Sequence, residues 1–206
     1  RVLLVNRRLL GGESGPRSLR DLADPRWKGR AAIANPLFGT TTMHVAALFV
    51  RWGDAEARAF LDALKANGVR IASSNGEVRR LVVRGEVALG LTDTDDASEA
   101  VKEGADVDVV YPDADVLGTL VMPTSVVLMT KGPNPEAGRR LVDYLLSADA
   151  ERRMAEAAAH MPLRPGVATP SGVTPVSDIR AMEVDYGRVA EEMERIQPWL
   201  RQWSGL

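Results

Sequence analysis

Asp24-Pro-Arg-Trp-Lys-Gly-Arg-Ala-Ala-Ile-Ala-Asn-Pro36, continued by Leu37-Phe38-Gly39-Thr40-Thr41-Thr42, is the stretch that decides the fold. A turn feeds a short apolar run, Ala31 to Ala34, which reads as a buried strand. The strand ends in a glycine and three hydroxyl residues that open a helix. Such a helix start offers free backbone N–H groups and the positive end of the helix dipole, and Gly39 lets a ligand approach the backbone closely. Gly39, Thr40, Thr41 and Thr42 are therefore candidate contacts for an anion. The alternative is that Thr40 or Thr41 simply caps its own helix.

Working outward, the same grammar returns. The chain opens on a β-type run, Arg1 to Val5, so it is expected to be a fragment, with any secretion signal lying upstream. A turn-rich loop, Gly11 to Pro16, leads to a short helix from Ser18 to Leu22 with Ser18 as its cap. Beyond the central stretch, helices are expected from Thr41 to Trp52 and from Asp54 to Ala66. The second carries Ala57, Phe60, Leu61 and Leu64 at the spacing of one buried face. Val69 to Ala72 is a strand, and Ser74-Asn-Gly-Glu77 is a capping box that starts another helix. Val87 to Leu91 is a continuous apolar strand ending in Thr92-Asp93-Thr94-Asp95-Asp96, before a helix from Ala97 to Glu103. Strand, polar loop and helix in repeated alternation argue for an α/β fold with ligand contacts at the strand ends.

Val107 to Tyr111 reads as a further strand, and Gly118 to Met122 and Ser125 to Thr130 as extended segments broken by Pro123. Helices from Pro135 to Leu146 and Ala148 to Ala159 follow. A proline-rich loop then leads to a closing amphipathic helix with Val189, Met193, Ile196 and Leu200 inward.

Composition narrows the functional classes. The 206 residues are 45% hydrophobic and 26% charged, enough for one large domain or two modest lobes. Net charge is −2 and the arginine pairs are scattered, so nucleic acid is not an expected partner. The absence of cysteine removes thiol catalysis, disulfides and Cys-type zinc sites. His44 and His160 are the only histidines and lack metal-site spacing. No nucleophile elbow, P-loop or GxGxxG is present. No catalytic residue, cofactor or resident metal is expected.

Two more sites carry possible chemistry. Asn75 stands at a second helix start, either as a turn residue or as a partner of the Gly39–Thr42 cradle. Asp93, Asp95 and Asp96 crowd carboxylates at a strand end, where they suit a hard cation or an ammonium group, or else a helix N-terminus. Asp93, closest to the strand, is the preferred contact, with Asp95 second.

The ordered set Ser18-Leu-Arg-Asp-Leu-Ala-Asp-Pro-Arg-Trp-Lys-Gly-Arg30, Ser74-Asn75, Val83-Arg-Gly-Glu86, Gly90-Leu-Thr-Asp93, Tyr111-Pro112, Gly118-Thr-Leu-Val121, Lys131-Gly-Pro-Asn-Pro135, Asp143-Tyr-Leu-Leu-Ser147 and Pro162-Leu-Arg-Pro-Gly-Val167 spans nearly the whole chain. It resembles the iron(III)-type, family 1 extracellular solute-binding proteins of bacterial ABC importers. The resemblance implies a type II periplasmic-binding fold, with two hinged lobes around a ligand cleft and cargo delivered to an ABC permease outside the cytoplasm. On that pattern, residues 4–124 and 167–206 form the second lobe and 125–166 a partial first lobe, the upstream first-lobe segment being absent. One complete α/β lobe plus part of the other is the expected architecture. The apolar face of 125–166 would then lack sheet partners, and a homo-oligomer is one way to cover it.

Ferric-binding members of that family grip iron with adjacent tyrosines at the positions where this chain has Asp95 and Asp96. Their anion contacts map onto Gly39, Thr40 and Asn75. The resemblance therefore implies a small polar or anionic solute, or its metal complex, on Gly39 to Thr42 and Asn75, with Asp93 and Asp95 pairing any cationic part. A zwitterion such as an aminoalkyl phosphonate satisfies both charge types. The alternatives are ferric iron on a non-tyrosine ligand set, a ligand-sensing module, and a hydrolase using Asp93 and Asp95 as acid and base.

Overall fold

The run that opens the chain becomes β1, Val2–Asn6, every residue of it buried. It lies near the middle of a five-stranded sheet with β2 (Ala31–Ala34), β3 (Arg70–Ala72), β4 (Leu89–Thr92) and β5 (Val107–Val110), in the order β3-β2-β4-β1-β5. β2 runs parallel to β3 and β4, with Ala32 opposite Arg70 and Ala31 opposite Leu89. β1 is antiparallel to both its neighbours, pairing Val2 with Thr92 and Leu3 with Val110. The sheet is thus mixed.

β1, β2 and β4 are buried on both faces, which is why they read as continuous apolar runs, whereas the edge strand β3 exposes Arg70 and Ile71. Alternate residues Val2, Leu4, Ala32 and Ala34 pack with Val78, Leu81 and Val82 of α4 (Asn75–Val83) and with Ala97 and Ala100 of α5 (Thr94–Lys102). On the opposite face Ile33 and Leu91 meet Leu48 of α2 (Gly39–Trp52), Leu61 and Leu64 of α3 (Asp54–Ala66), and Leu19 and Leu22 from the turn that Ser18 caps. A final helix lies along α2, where Trp199 meets Phe49 edge-on at 5.6 Å between ring centres.

One glycine shows how tightly α4 seats. Gly90 of β4 lies under the helix, and a Cβ built there would fall inside 3.0 Å of Val78 Cγ1 and 3.2 Å from Val82 Cγ2. Only a residue without a side chain lets α4 rest on the sheet at this depth.

The computed structural model describes residues 1–205, which divide into two compact units: Arg1–Val121 joined by the segment from Arg180, and Met122–Ile179. The second unit carries α6 (Pro135–Leu145) and α7 (Ala148–Ala158). Ser147 caps α7, and Glu151 accepts hydrogen bonds from the backbone N–H groups of Leu163 and Arg164. Its apolar side chains Val127, Met129, Leu141 and Leu146 are exposed. Among the described residues no helix is long and apolar enough to cross a membrane.

Several boundaries differ from the sequence reading. A one-turn helix, α1 (Arg7–Leu10), follows β1 because the Asn6 side chain accepts from Leu9 N–H; its two leucines and two arginines show no face long enough to read. α2 starts at Gly39 instead of Thr41, and α5 at Thr94 instead of Ala97. At α5 the acidic pair Asp95-Asp96 lies inside the first helical turn, where negative charge is favoured, and not in a loop before it. β4 begins two residues later and ends one residue later than the expected Val87 to Leu91, although Ala88 still makes ladder bonds with Asn6 and Arg30. Gly118 to Met122 contributes only an isolated bridge, Thr119 with Ala181, and Ser125 to Thr130 forms no strand. The closing helix is α8, Tyr186–Ser204, with Val189, Ile196 and Leu200 buried as expected.

Candidate ligand-binding site

Three helix starts carry the site residues, and their caps decide where each side chain goes. At α4, Ser74 accepts from Glu77 N–H, the bond expected of a capping box. Glu77 returns its carboxylate one residue earlier than expected, to the N–H and hydroxyl of Ser73, both at 2.6 Å. Those bonds hold the Glu77 carboxyl below the usual carboxylate range. Because Ser74 does the capping, the Asn75 side chain is free to point elsewhere.

At α2 the cap residue is Phe38, which makes no side-chain cap bond. The chain enters through an Asn35 turn whose side chain accepts from Leu37 N–H at 2.9 Å, and Gly39 takes a left-handed φ of 61° as the first helical residue. No threonine hydroxyl caps this helix, so the simple capping reading fails and its first-turn N–H groups have no side-chain acceptor. At α5 the cap residue is Asp93, and its carboxylate also makes no cap bond.

The Asp93 carboxylate is committed elsewhere. Oδ2 accepts from the Thr40 hydroxyl at 2.9 Å and from Asn75 Nδ2 at 2.7 Å, and Oδ1 accepts from Arg1 Nη1 at 2.6 Å. Thr40 Oγ1 in turn accepts from Arg1 Nη1 at 2.9 Å and from Asn75 Nδ2 at 2.8 Å, which fills the hydroxyl's one donor and two acceptor positions. Residues 40, 75 and 93, far apart in the chain, meet through direct hydrogen bonds.

Arg1 was not among the sequence-based candidates. Its guanidinium is fully buried, with 0% side-chain exposure against 24% for Asp93, and Nη2 also donates to Thr41 Oγ1 at 3.1 Å. Burial lowers its pKa and the Asp93 charge opposes that shift, but a guanidinium stays protonated. Its only sequence signal was a charge at the head of an all-buried strand.

The remaining candidates separate by exposure. Thr41 and Thr42 are buried, Thr41 as the acceptor for Arg1 and Thr42 with no hydrogen-bond partner. Gly39 and Asp95 are exposed, and Asp96 is half-buried and accepts from Thr92 Oγ1 at 3.1 Å. Asp93, Asp95 and Asp96 each place a carboxylate oxygen within 4.8 Å of the others. Burial, and then the Asp95 charge, push the Asp96 carboxyl up. Arg1 pairs with Asp93 and the Arg79 charge bears on Asp96, which leaves the exposed Asp95 as the carboxylate most open to a cationic group. One turn along α2, His44 is completely buried with neither ring nitrogen hydrogen-bonded, and burial next to the Arg1 charge holds its pKa well below the usual value.

The arrangement is a polar cradle of uncapped helix-start amides at α2, the mutually hydrogen-bonded Thr40 hydroxyl and Asn75 amide, and the carboxylates of Asp93, Asp95 and Asp96. The family model for bacterial extracellular solute-binding proteins matches residues 1–179. The chain is 27% identical to the "Putative 2-aminoethylphosphonate-binding periplasmic protein" of Salmonella typhi, covering 98% of this chain and 57% of that protein. It is 25% identical to the major ferric iron-binding protein of Neisseria meningitidis serogroup B, over 93% of this chain and 59% of that one. Among solved structures it superposes on iron-bound HitA from Pseudomonas aeruginosa with a TM-score of 0.85 at 24% identity, covering 97% of this chain and 66% of HitA. It superposes on AfuA from Actinobacillus pleuropneumoniae, solved with exogenous fructose-6-phosphate, with a TM-score of 0.86 at 22% identity, covering all of this chain and 66% of AfuA. At those identities the structural likeness establishes the fold alone, that of periplasmic binding proteins. The chain spans less than two thirds of the length of the curated relatives above. With the family model covering most of its length, the chain belongs to the bacterial extracellular solute-binding proteins.

Proposed function

We propose that the protein captures a small phosphonate- or phosphate-type solute for an ABC importer and works outside the cytoplasm, in the periplasm or at the cell surface. The anionic head lies on the uncapped start of α2 at Gly39 and Thr40 and on Asn75 of α4, and a cationic tail, where the solute has one, lies toward Asp95. The family is one of binding proteins and not of enzymes, so the hydrolase alternative is dropped. The single observation behind this reading is the meeting of Thr40, Asn75 and Asp93 at 2.7–2.9 Å beside a helix start that no side chain caps. Transport to a membrane permease follows from the family pattern, and the 2-aminoethylphosphonate named for the Salmonella relative is the solute class that fits both charge types.

Calorimetric titration of the protein at its full natural length tests this. Binding of 2-aminoethylphosphonate is expected to weaken at least about tenfold on Thr40→Val and on Asn75→Leu, each of which removes a hydrogen bond that holds the Asp93 carboxylate in place. Wild-type affinity that both variants leave untouched would place the solute elsewhere. The clustered oxygens of Asp93, Asp95 and Asp96 favour one second reading, ferric iron on carboxylates. Tight Fe(III) binding with no phosphonate binding would select it.

A further inference from the structure

The Asp93 carboxylate is an unusual component of an anion cradle, because it brings negative charge to the place where an anion must lie. We propose that Asp93 is the specificity-determining residue of this site: it accepts a hydrogen bond from a protonated oxygen of the ligand, and so selects phosphonates and phosphates over sulfonates and sulfates. The inference rests on the cradle reading above and deepens it.

The argument starts from acceptor capacity. An ionised carboxylate has about four lone-pair positions and no donor. Three are filled within the protein, two on Oδ2 by Thr40 and Asn75 and one on Oδ1 by Arg1. The fourth is on Oδ1, on a side chain that is 24% exposed, and it is there that the proposal places the ligand's proton. The pair with the buried Arg1 fixes the carboxylate in orientation. Thr40 cannot turn its proton toward a ligand without releasing Asp93, since its single O–H is already donated there.

An anion in this cradle therefore meets one fixed acceptor. A phosphonate monoanion carries a P–O–H that can donate to it. A sulfonate has the same tetrahedral shape and the same single charge but no proton, so one of its oxygens must face the carboxylate lone pair unpaired. A site whose buried polar group loses its partner discriminates strongly against the analogue that cannot supply it.

The test compares methylphosphonate with methanesulfonate, which carry no ammonium group, at a pH where the phosphonate keeps one proton. The protein is used at its full natural length, with Asp93→Asn and Thr40→Val beside it. Wild type is expected to prefer the phosphonate by at least about tenfold. In Asp93→Asn the side chain can present an N–H, so phosphonate affinity falls, sulfonate affinity rises, and the ratio approaches one. Equal wild-type affinities, with both lost in Thr40→Val, would overturn the role of Asp93 and leave the cradle standing. Absence of binding by either anion and by 2-aminoethylphosphonate would overturn the cradle and this role together. Equal weakening of both anions in Asp93→Asn would mark the residue as merely structural and also refute the proposal. The wild-type comparison decides even where a variant fails to fold.

Discussion

Replacing Gly90 with alanine adds one methyl group at the tightest contact between the sheet and the helix that carries Asn75. The backbone at Gly90 is not left-handed, so alanine meets no conformational penalty there and only space opposes it. A Cβ would fall inside 3.0 Å of Val78 Cγ1 and 3.2 Å from Val82 Cγ2, whereas carbon atoms pack best near about 3.5–4.0 Å. Val78 and Val82 are fully buried, so α4 has to rise by roughly half an ångström or more. Overpacking of this kind costs about 1–3 kcal/mol, offset in part by the roughly 0.4–1 kcal/mol that Gly→Ala gains through the unfolded chain. The lift also stretches the Asn75 bonds to Thr40 and Asp93, now 2.8 and 2.7 Å, toward the limit of useful hydrogen bonding. Urea unfolding followed by circular dichroism should show a lower midpoint with an unchanged slope, together with weaker solute binding. Val78→Ala removes the clashing methyl, so the double variant should be more stable than the two single costs added together. A wild-type midpoint for Gly90→Ala, or a double-mutant cycle that adds to within about 0.5 kcal/mol, would refute the reasoning.

Two more outcomes follow from buried polar groups. The His44 pKa lies well below the unfolded value of 6.5, so the unfolded chain binds a proton that the folded one refuses. That stability is complete above pH 6.5 and is lost as pH falls toward the folded pKa, at up to about 1.4 kcal/mol per pH unit. His44→Leu should flatten this part of the stability–pH curve, and an unchanged slope would show that the histidine does not cause it. Asn67, 6% exposed, donates to the carbonyls of Leu22 and Asp24 at 3.1 and 2.9 Å and pins the turn leading into β2. Asn67→Ala should lower stability by about 1–3 kcal/mol, measured in the same unfolding assay, because the buried Leu22 carbonyl loses its partner and the Asp24 carbonyl keeps only the Trp27 N–H; an unchanged midpoint would contradict that.

The architecture could be read from the sequence because its signals are local. Apolar runs at Ala31 to Ala34 and Leu89 to Leu91, the face of Ala57, Phe60, Leu61 and Leu64, and the caps Ser18 and Ser74 each lie within one element. Strand direction was harder to read. β1 lies at the head of the sequence but is inserted between β4 and β5, antiparallel to both, and nothing in four apolar residues and an asparagine encodes that placement. The segments around Gly118 and Ser125 have strand composition, but that property depends on the neighbouring edge as much as on the residues.

The site divides along the same line. Thr40, Asn75 and Asp93 each stand where a strand or turn gives way to a helix, and that local grammar marks them. Arg1 stands at no such boundary, and its partners Thr40 and Asp93 lie 39 and 92 residues away. Its role exists only because β1 pairs with β4 with Val2 opposite Thr92, which brings the residue before one strand alongside the residue after the other. The antiparallel pairing that the sequence could not reveal therefore also supplies the buried cation, and without that cation Asp93 would be one more repulsive charge. On the proposed reading, whether this site takes an anion depends on the position of β1 in the sheet.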